Sequence, residues 1–220
     1  MIDRSAVTLE TTVAASPIWV RLRDIFTGRA PAGAISVSAQ RSAGGGWVAL
    51  EHPHRVGPDG DLAFVNLGRT RDPGAVGTFD VRITVAGPGM ISEDANGDPV
   101  LTATVAAWAP DAPAVPSQPD ELRLFPGPAY RFPAGTPLLA GVVVDSNGDP
   151  VPRARVWATE TVQSTPLTEE VRSDGEGRFR LPLRWSAGAT TVNGGLGSLA
   201  GSIVVSLPAA LSSTHQITLT

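Results

Sequence analysis

The chain has 220 residues, room for one large domain or two of about a hundred residues each. Gly 24 and Pro 20 interrupt helices throughout, while 42% apolar residues exclude a disordered polypeptide. Net charge is −4, from 17 basic and 21 acidic residues mixed along the chain, and there is no cysteine. These totals argue against a nucleic-acid or anionic-membrane partner and exclude disulfides and thiolate metal sites. All 17 basic residues are arginine, which is read as coding bias.

The N-terminus, MIDRSAVTLETTVAASPIW, has no apolar stretch of signal-peptide type, and no run approaches the roughly 18 apolar residues of a membrane span. The expectation is synthesis in the cytoplasm without membrane insertion.

In chain order, strand-length alternating or apolar runs fall at 19–26, 34–40, 62–67, 78–87 and 99–108. The segment 109–120 carries Pro110, Pro113, Pro116 and Pro119 and reads as a stiff, extended linker. Beyond it, 121–123 leaves room for a short helical piece. Strand patterns return at 138–145, 154–162, 177–185, 202–207 and 214–220. The expected fold is all-β: two tandem Ig-like β-sandwiches, 1–108 and 121–220, joined by the proline-rich linker at 109–120.

The halves share a grammar. A strand ends at Asp24 before a turn at Gly28 and Pro31; another ends at Asp145 before Gly148 and Pro150. Later come Asp59-Gly60-Asp61 with Phe64, and Asp174-Gly175-Glu176 with Phe179, at the same spacing. A further echo, NGDPVLTATVAA (96–107) against NGDPVPRARVWA (147–158), is out of phase and reads as reuse of one good turn.

The pattern carried by Gly141, Val143, Asp145, Gly148, Pro150, Ala154, Val156, Asp174, Gly175, Gly177 and Phe179 resembles the carboxypeptidase regulatory-like domain, clearly over 138–183 and more weakly over 19–67. That resemblance implies a seven-stranded, transthyretin-like sandwich. Alternation then turns Val143, Val156, Phe179 and Leu181 inward, and Arg153, Arg155, Trp157, Arg178 and Arg180 outward. Segment 122–145 also resembles small sandwich proteins of phage-tail-like contractile injection particles, where such domains cap or decorate.

Candidate chemistry is sparse. DANGD (94–98) and DSNGD (145–149) resemble the opening of a calcium loop, but loop position twelve falls on Val105 and Val156 rather than a bidentate glutamate. His52 and His54 stand two residues apart and read as loop residues; His215 follows Ser212-Ser213-Thr214 with no acidic partner evident in sequence. The runs GGG (44–46) and NGGLGS (193–198) lack the Lys and following helix of a phosphate loop and read as turns or contact loops. No catalytic, metal-binding or cofactor-binding residue is assigned.

The expected function is a structural or adaptor subunit binding other protein subunits through loops and edge strands, compatible with a homo-oligomer and with a particle released from the cell. The alternative is a carbohydrate- or cell-surface-binding module. The candidate contact residues are Trp47, His52, His54, Tyr130 and Trp157, with Trp19, Trp108 and Trp185 as further aromatics.

Overall fold

The computed structural model describes residues 14–50, 54–57, 59–70, 77–109, 116–162, 164–184 and 187–220. The fold is all-β. In order the strands are β1 (Trp19–Asp24), β2 (Ser36–Ala43), β3 (Gly46–Ala49), β4 (Arg55–Val56), β5 (Leu62–Ala63), β6 (Thr78–Ala86), β7 (Met90–Glu93), β8 (Leu101–Ala106), β9 (Asp120–Pro126), β10 (Leu138–Val144), β11 (Arg155–Val162), β12 (Thr165–Arg172), β13 (Arg178–Pro182), β14 (Gly188–Leu196), β15 (Leu199–Leu207) and β16 (Thr214–Thr218). A 3-10 turn, Ala209–Ser212, follows β15.

Four sheets form, ordered β4-β5-β1-β9-β7, β3-β2-β6-β8, β13-β10-β16 and β12-β11-β14-β15. The first two face each other across a core that includes Val20, Leu22, Leu62, Val81, Ile83, Val105, Leu122 and Leu124. The last two enclose a separate core built from Leu139, Val143, Val156, Val171, Phe179, Leu181, Val192 and Ile217. Period-two alternation produces each wall: in β1, Val20 and Leu22 are buried while Arg21 and Arg23 face out.

The two units have one topology. β1 pairs antiparallel with β5 and parallel with β9; β10 pairs antiparallel with β13 and parallel with β16. The facing sheets, β3-β2-β6-β8 and β12-β11-β14-β15, are ordered alike. Thus β1, β2, β3, β5, β6, β8 and β9 correspond to β10 through β16, and β4 and β7 are additions of the first unit.

This topology moves the expected boundary. Residues 121–123, where the sequence left room for a helical piece, lie in β9, flanked by β1 and β7 with Leu122 and Leu124 fully buried. The segment from 109 to 119 therefore joins β8 to the closing strand of the first unit, and the connection between units is 127–137. Residues 110–115 themselves lie outside the described residues.

Asp-led turns recur at three places. Asp94 Oδ1 accepts the amides of Asn96 and Asp98 at 2.8 Å; Asp145 Oδ1 accepts those of Asn147 and Asp149 at 2.8 and 2.9 Å; Asp174 Oδ1 accepts those of Glu176 and Arg178 at 3.0 and 2.9 Å. The left-handed glycine of each, Gly97, Gly148 or Gly177, has φ of 92, 89 or 71°. The first joins β7 to β8, the second β10 to β11, the third β12 to β13. The out-of-phase echo is thus one turn used at non-equivalent corners.

The repeat's register is also corrected. Gly57 and Gly60 close the same backbone turn as Asp174 and Gly177. Val20 faces Leu62 where Gly141 faces Phe179. Leu62, not Phe64, is therefore the counterpart of Phe179, two residues from the match that the Asp-Gly spacing suggested. The pairs conserve volume: a medium-sized pair in one unit, glycine against a large ring in the other. A Cβ on Gly141 would sit 2.4 Å from Phe179 Cζ and 2.6 Å from the His215 carbonyl oxygen.

The units are joined by arginines of the second reaching into the first. Arg172, at the end of β12, meets Glu93 of β7 in a bidentate pair, Nε–Oε1 2.6 Å and Nη2–Oε2 2.7 Å. Both side chains are about 7% exposed. Its Nη1 donates to Glu170 Oε1 at 2.7 Å, and its guanidinium carbon lies 3.7 Å from the Phe125 ring centroid. Burial alone would lower the Arg172 pKa; Glu93 and Glu170 outweigh it and leave the pKa raised. Arg153 donates to the Ser92 carbonyl at 3.0 Å and Arg184 to that of Phe26 at 2.9 Å. Arg180 donates to the Pro128 carbonyl of the connector at 3.1 Å. In that connector Tyr130 and Phe132 pack on Phe26, at ring-centroid distances of 5.9 and 5.1 Å.

Two predictions follow from this packing. Gly141→Ala lowers stability by about 1–3 kcal/mol in denaturant titration, and Phe179→Leu in the same chain recovers part of the loss by freeing the ring's space. Arg172→Met strips buried Glu93 of its bidentate partner, leaving only Arg153 at 3.5 Å, and costs about 3 kcal/mol, whereas Arg172→Met with Glu93→Leu is markedly more stable than the single variant. Additive losses in either double variant would contradict the assignment.

Candidate interaction surfaces

Two tryptophans mark the outer faces of the topologically equivalent four-stranded sheets. Trp47 stands on β3, beyond a two-glycine hairpin turn in which Gly44 and Gly45 have φ of 56 and 83°. It is 38% exposed. Arg82, two strands away on β6, holds its guanidinium 4.6 Å from the indole centroid and donates to Gln40. Asp80 and Thr104 lie on the same face, hydrogen-bonded at 2.7 Å. The result is an accessible indole bordered by donors and acceptors on the outer face of a sheet.

Trp157, on β11, is half-buried and faces outward, as alternation requires with Val156 and Ala158 in the core. Arg155 lies 4.4 Å from its ring centroid and pairs with Glu170 at 2.7 Å. The indole lies beside Gly195 of β14, where a Cβ would come within 3.5 Å of Cζ3. The run NGGLGS, expected as a loop, is mostly strand: 193–196 belong to β14 and only 197–198 turn. Its glycines answer to close approach, since a Cβ on Gly194 would meet Ile217 Cγ2 at 2.9 Å.

The other candidates are placed differently. Tyr130 is 8% exposed and donates its hydroxyl to Asp24 Oδ2 at 2.7 Å. Burial first, then Asp24, raises its pKa. It is therefore a strut between the connector and the end of β1 rather than a contact residue; the opposite oxygen of Asp24 accepts the Phe26 amide at 2.9 Å. His54 is half-buried with its ring tilted against Phe64 at 6.2 Å. His52 and Trp185 lie outside the described residues. Trp108 is buried and donates Nε1–H to the Leu67 carbonyl at 2.7 Å. Trp19 donates to Asp61 Oδ2 at 2.8 Å, beside a bidentate Arg21–Asp61 pair at 3.0 and 3.1 Å. His215 Nε2 lies 2.8 Å from the Ala210 carbonyl and 3.3 Å from Ser213 Oγ.

The carboxylates that drew attention in sequence are engaged. Asp145 holds its own turn, and the amides of Asp149 and Asn147 keep its pKa below the usual value. Among the described residues no cluster of three or more His, Asp or Glu has metal-binding geometry. No helix of the described residues is long and apolar enough to cross a membrane. A cleft of about 880 Å³ opens beside Asp24 and Tyr130, with Arg29, Arg131, Pro88 and Met90 on its walls. Asp24, at its base, is already satisfied by Tyr130 and the following turn.

No family model matches the chain, and no curated protein matches it. Among solved structures, it is similar to the Bacillus anthracis TIE protein at 13% identity and a TM-score of 0.30, over 95% of this chain and 33% of that one. It is also similar to a candidate cell adhesion protein from Bacteroides ovatus ATCC 8483 at 10% identity and a TM-score of 0.26, over 96% and 95% of the two chains. The chain spans about a third of the length of the first. Likenesses at this level carry no argument about function.

The structural role of Asp61 has a pH signature. The Arg21 hydrogen bond, opposed by partial burial and aided by Trp19, holds its carboxyl below the ordinary value. A depressed carboxyl stabilises the fold above its unfolded pKa, about 4, and that contribution is lost as pH falls through the folded value. Melting temperatures across an acid series check this: wild type exceeds Asp61→Asn near neutrality, and the gap closes in acid. A gap that stays constant or widens in acid contradicts it.

Proposed function

We propose that the protein is a non-enzymatic structural or adaptor subunit that offers the outer faces and edges of its sheets to other proteins. The observation that carries this reading is the disposition of its polar chemistry. Asp94, Asp145 and Asp174 hold turns, Asp24 and Asp61 brace β1, and Glu93 with Arg172 joins the units. These groups are committed to architecture, while flat sheet surface with exposed apolar and aromatic residues remains open. The resemblance of 138–183 to the carboxypeptidase regulatory-like domain supports a scaffold of this kind. The resemblance of 122–145 supports a more specific setting, a cap or accessory component of a phage-tail-like contractile injection particle.

The test is isolation of the tagged full chain from its host under mild conditions. The expected result is co-sedimentation with a defined multi-subunit particle, and no turnover by the isolated protein on hydrolase substrates. Recovery only as a free chain, or turnover abolished by a point substitution, would overturn the proposal.

One observation favours a second reading. Trp47, flanked by Gln40, Arg82 and Asp80, has the composition of a sugar-stacking surface. Glycan-array binding by wild type that disappears in Trp47→Ala, with folding intact, would replace the adaptor reading by a carbohydrate- or cell-surface-binding one.

A further inference from the structure

The last Asp, Glu, Lys or Arg of the chain is Arg184; residues 185–220 carry none. These residues build β14, β15, the 3-10 turn and β16, so charge is withheld from one side of the second unit although 17% of the chain is charged. That side is not buried. Val204 is 71% exposed, Leu196 42% and Leu199 40%. Trp157 adjoins the same surface through Gly195.

β15 is also the edge of its sheet, and beyond Ala200 that edge is open. Ala200 exchanges both backbone hydrogen bonds with Thr220, at 3.3 and 3.1 Å, so its amide and carbonyl point away from β14. The β14–β15 register runs without a bulge from Gly188↔Leu207 to Leu196↔Leu199. In an antiparallel ladder alternate residues share an orientation. Ser202, Val204 and Ser206 therefore also turn their backbone groups outward, and no backbone partner takes them among the described residues.

The other edge strands are all shorter, and most carry charge or proline; β16, of five residues, carries neither. β4 has two residues and β3 four. β12 bears Pro166, Glu169, Glu170 and Arg172; β13 bears Arg178, Arg180 and Pro182. β8 is uncharged, but the chain just beyond it is met by Thr70, whose amide donates to the Trp108 carbonyl at 2.9 Å. β15 has nine residues, with neither charge nor proline.

We infer that β15 pairs antiparallel with β15 of a second copy about a two-fold axis at Val204, joining two four-stranded sheets into one. Val204 then faces its own counterpart, and Ser202 faces Ser206 of the other copy. Each pair exchanges two backbone hydrogen bonds, and the exposed valines come together on one surface. A second copy is the favoured occupant because the edge offers no charge for an unlike partner to recognise. In a chain of net charge −4, it is also a region where like meets like without repulsion. The inference stands whether or not the adaptor reading holds.

Sedimentation equilibrium of the full chain over a wide concentration range tests it, with Val204→Lys and Val204→Pro as variants. Both are tolerated by the monomer: the side chain is solvent-exposed, and the amide removed by proline serves only the free edge. The expected result is a wild-type dimer and two monomeric variants with unchanged circular dichroism. Val204→Thr should remain a dimer. A wild type that stays monomeric throughout, or a dimer that survives Val204→Lys, would overturn the inference. So would a monomeric wild type that captures a different protein through this edge.

Discussion

The arrangement of the whole molecule depends on one buried ion pair. Glu93 and Arg172 come from different units, 79 residues apart, and both are buried. Burying two charges is costly, and the cost is offset only when geometry is close to ideal and remaining donors are occupied. Here the fork of Arg172 takes both Glu93 oxygens, its third nitrogen takes Glu170, and its face lies on Phe125. Around it Arg153, Arg180 and Arg184 donate to carbonyls of the first unit and the connector. A lysine could supply the charge but not the planar, multidentate fork. The all-arginine composition, read in sequence as coding bias, thus has a physical use at the joint.

A joint of this kind matters because each unit alone is a small sandwich with open edges. Each unit also carries an indole on the outer face of its four-stranded sheet, Trp47 on β3 and Trp157 on β11. Tyr130 contributes from the connector, bonded to Asp24 and packed with Phe132, which itself touches the second core. The connector is therefore a packed element and not a tether.

Much of the fold was legible in the residues. Alternation located β1, β6, β10, β11 and β13, and placed Val143, Val156, Phe179 and Leu181 inside. The repeat was visible because each unit needs the same corners. Its register was not, because the Asp-Gly dipeptides that draw the eye do not set it. Pairing is set by the left-handed glycines Gly60 and Gly177 and by the complementary volumes of Val20–Leu62 and Gly141–Phe179. β12 was hidden by Pro166 and by the inward-facing Glu169, and β14 by glycines that local reading assigns to loops. The role of β9 depends on a parallel pairing about a hundred residues away in sequence, and that of Tyr130 on an acid 106 residues distant. No local pattern encodes either.

A buried joint of this kind makes the two units unfold as one body. Scanning calorimetry of the unmodified chain near neutral pH addresses this most directly. A single endotherm whose calorimetric and van't Hoff enthalpies agree is the predicted result. Two resolved transitions, each with the enthalpy of about half the chain, would show that the buried pair does not couple the units and would contradict the account.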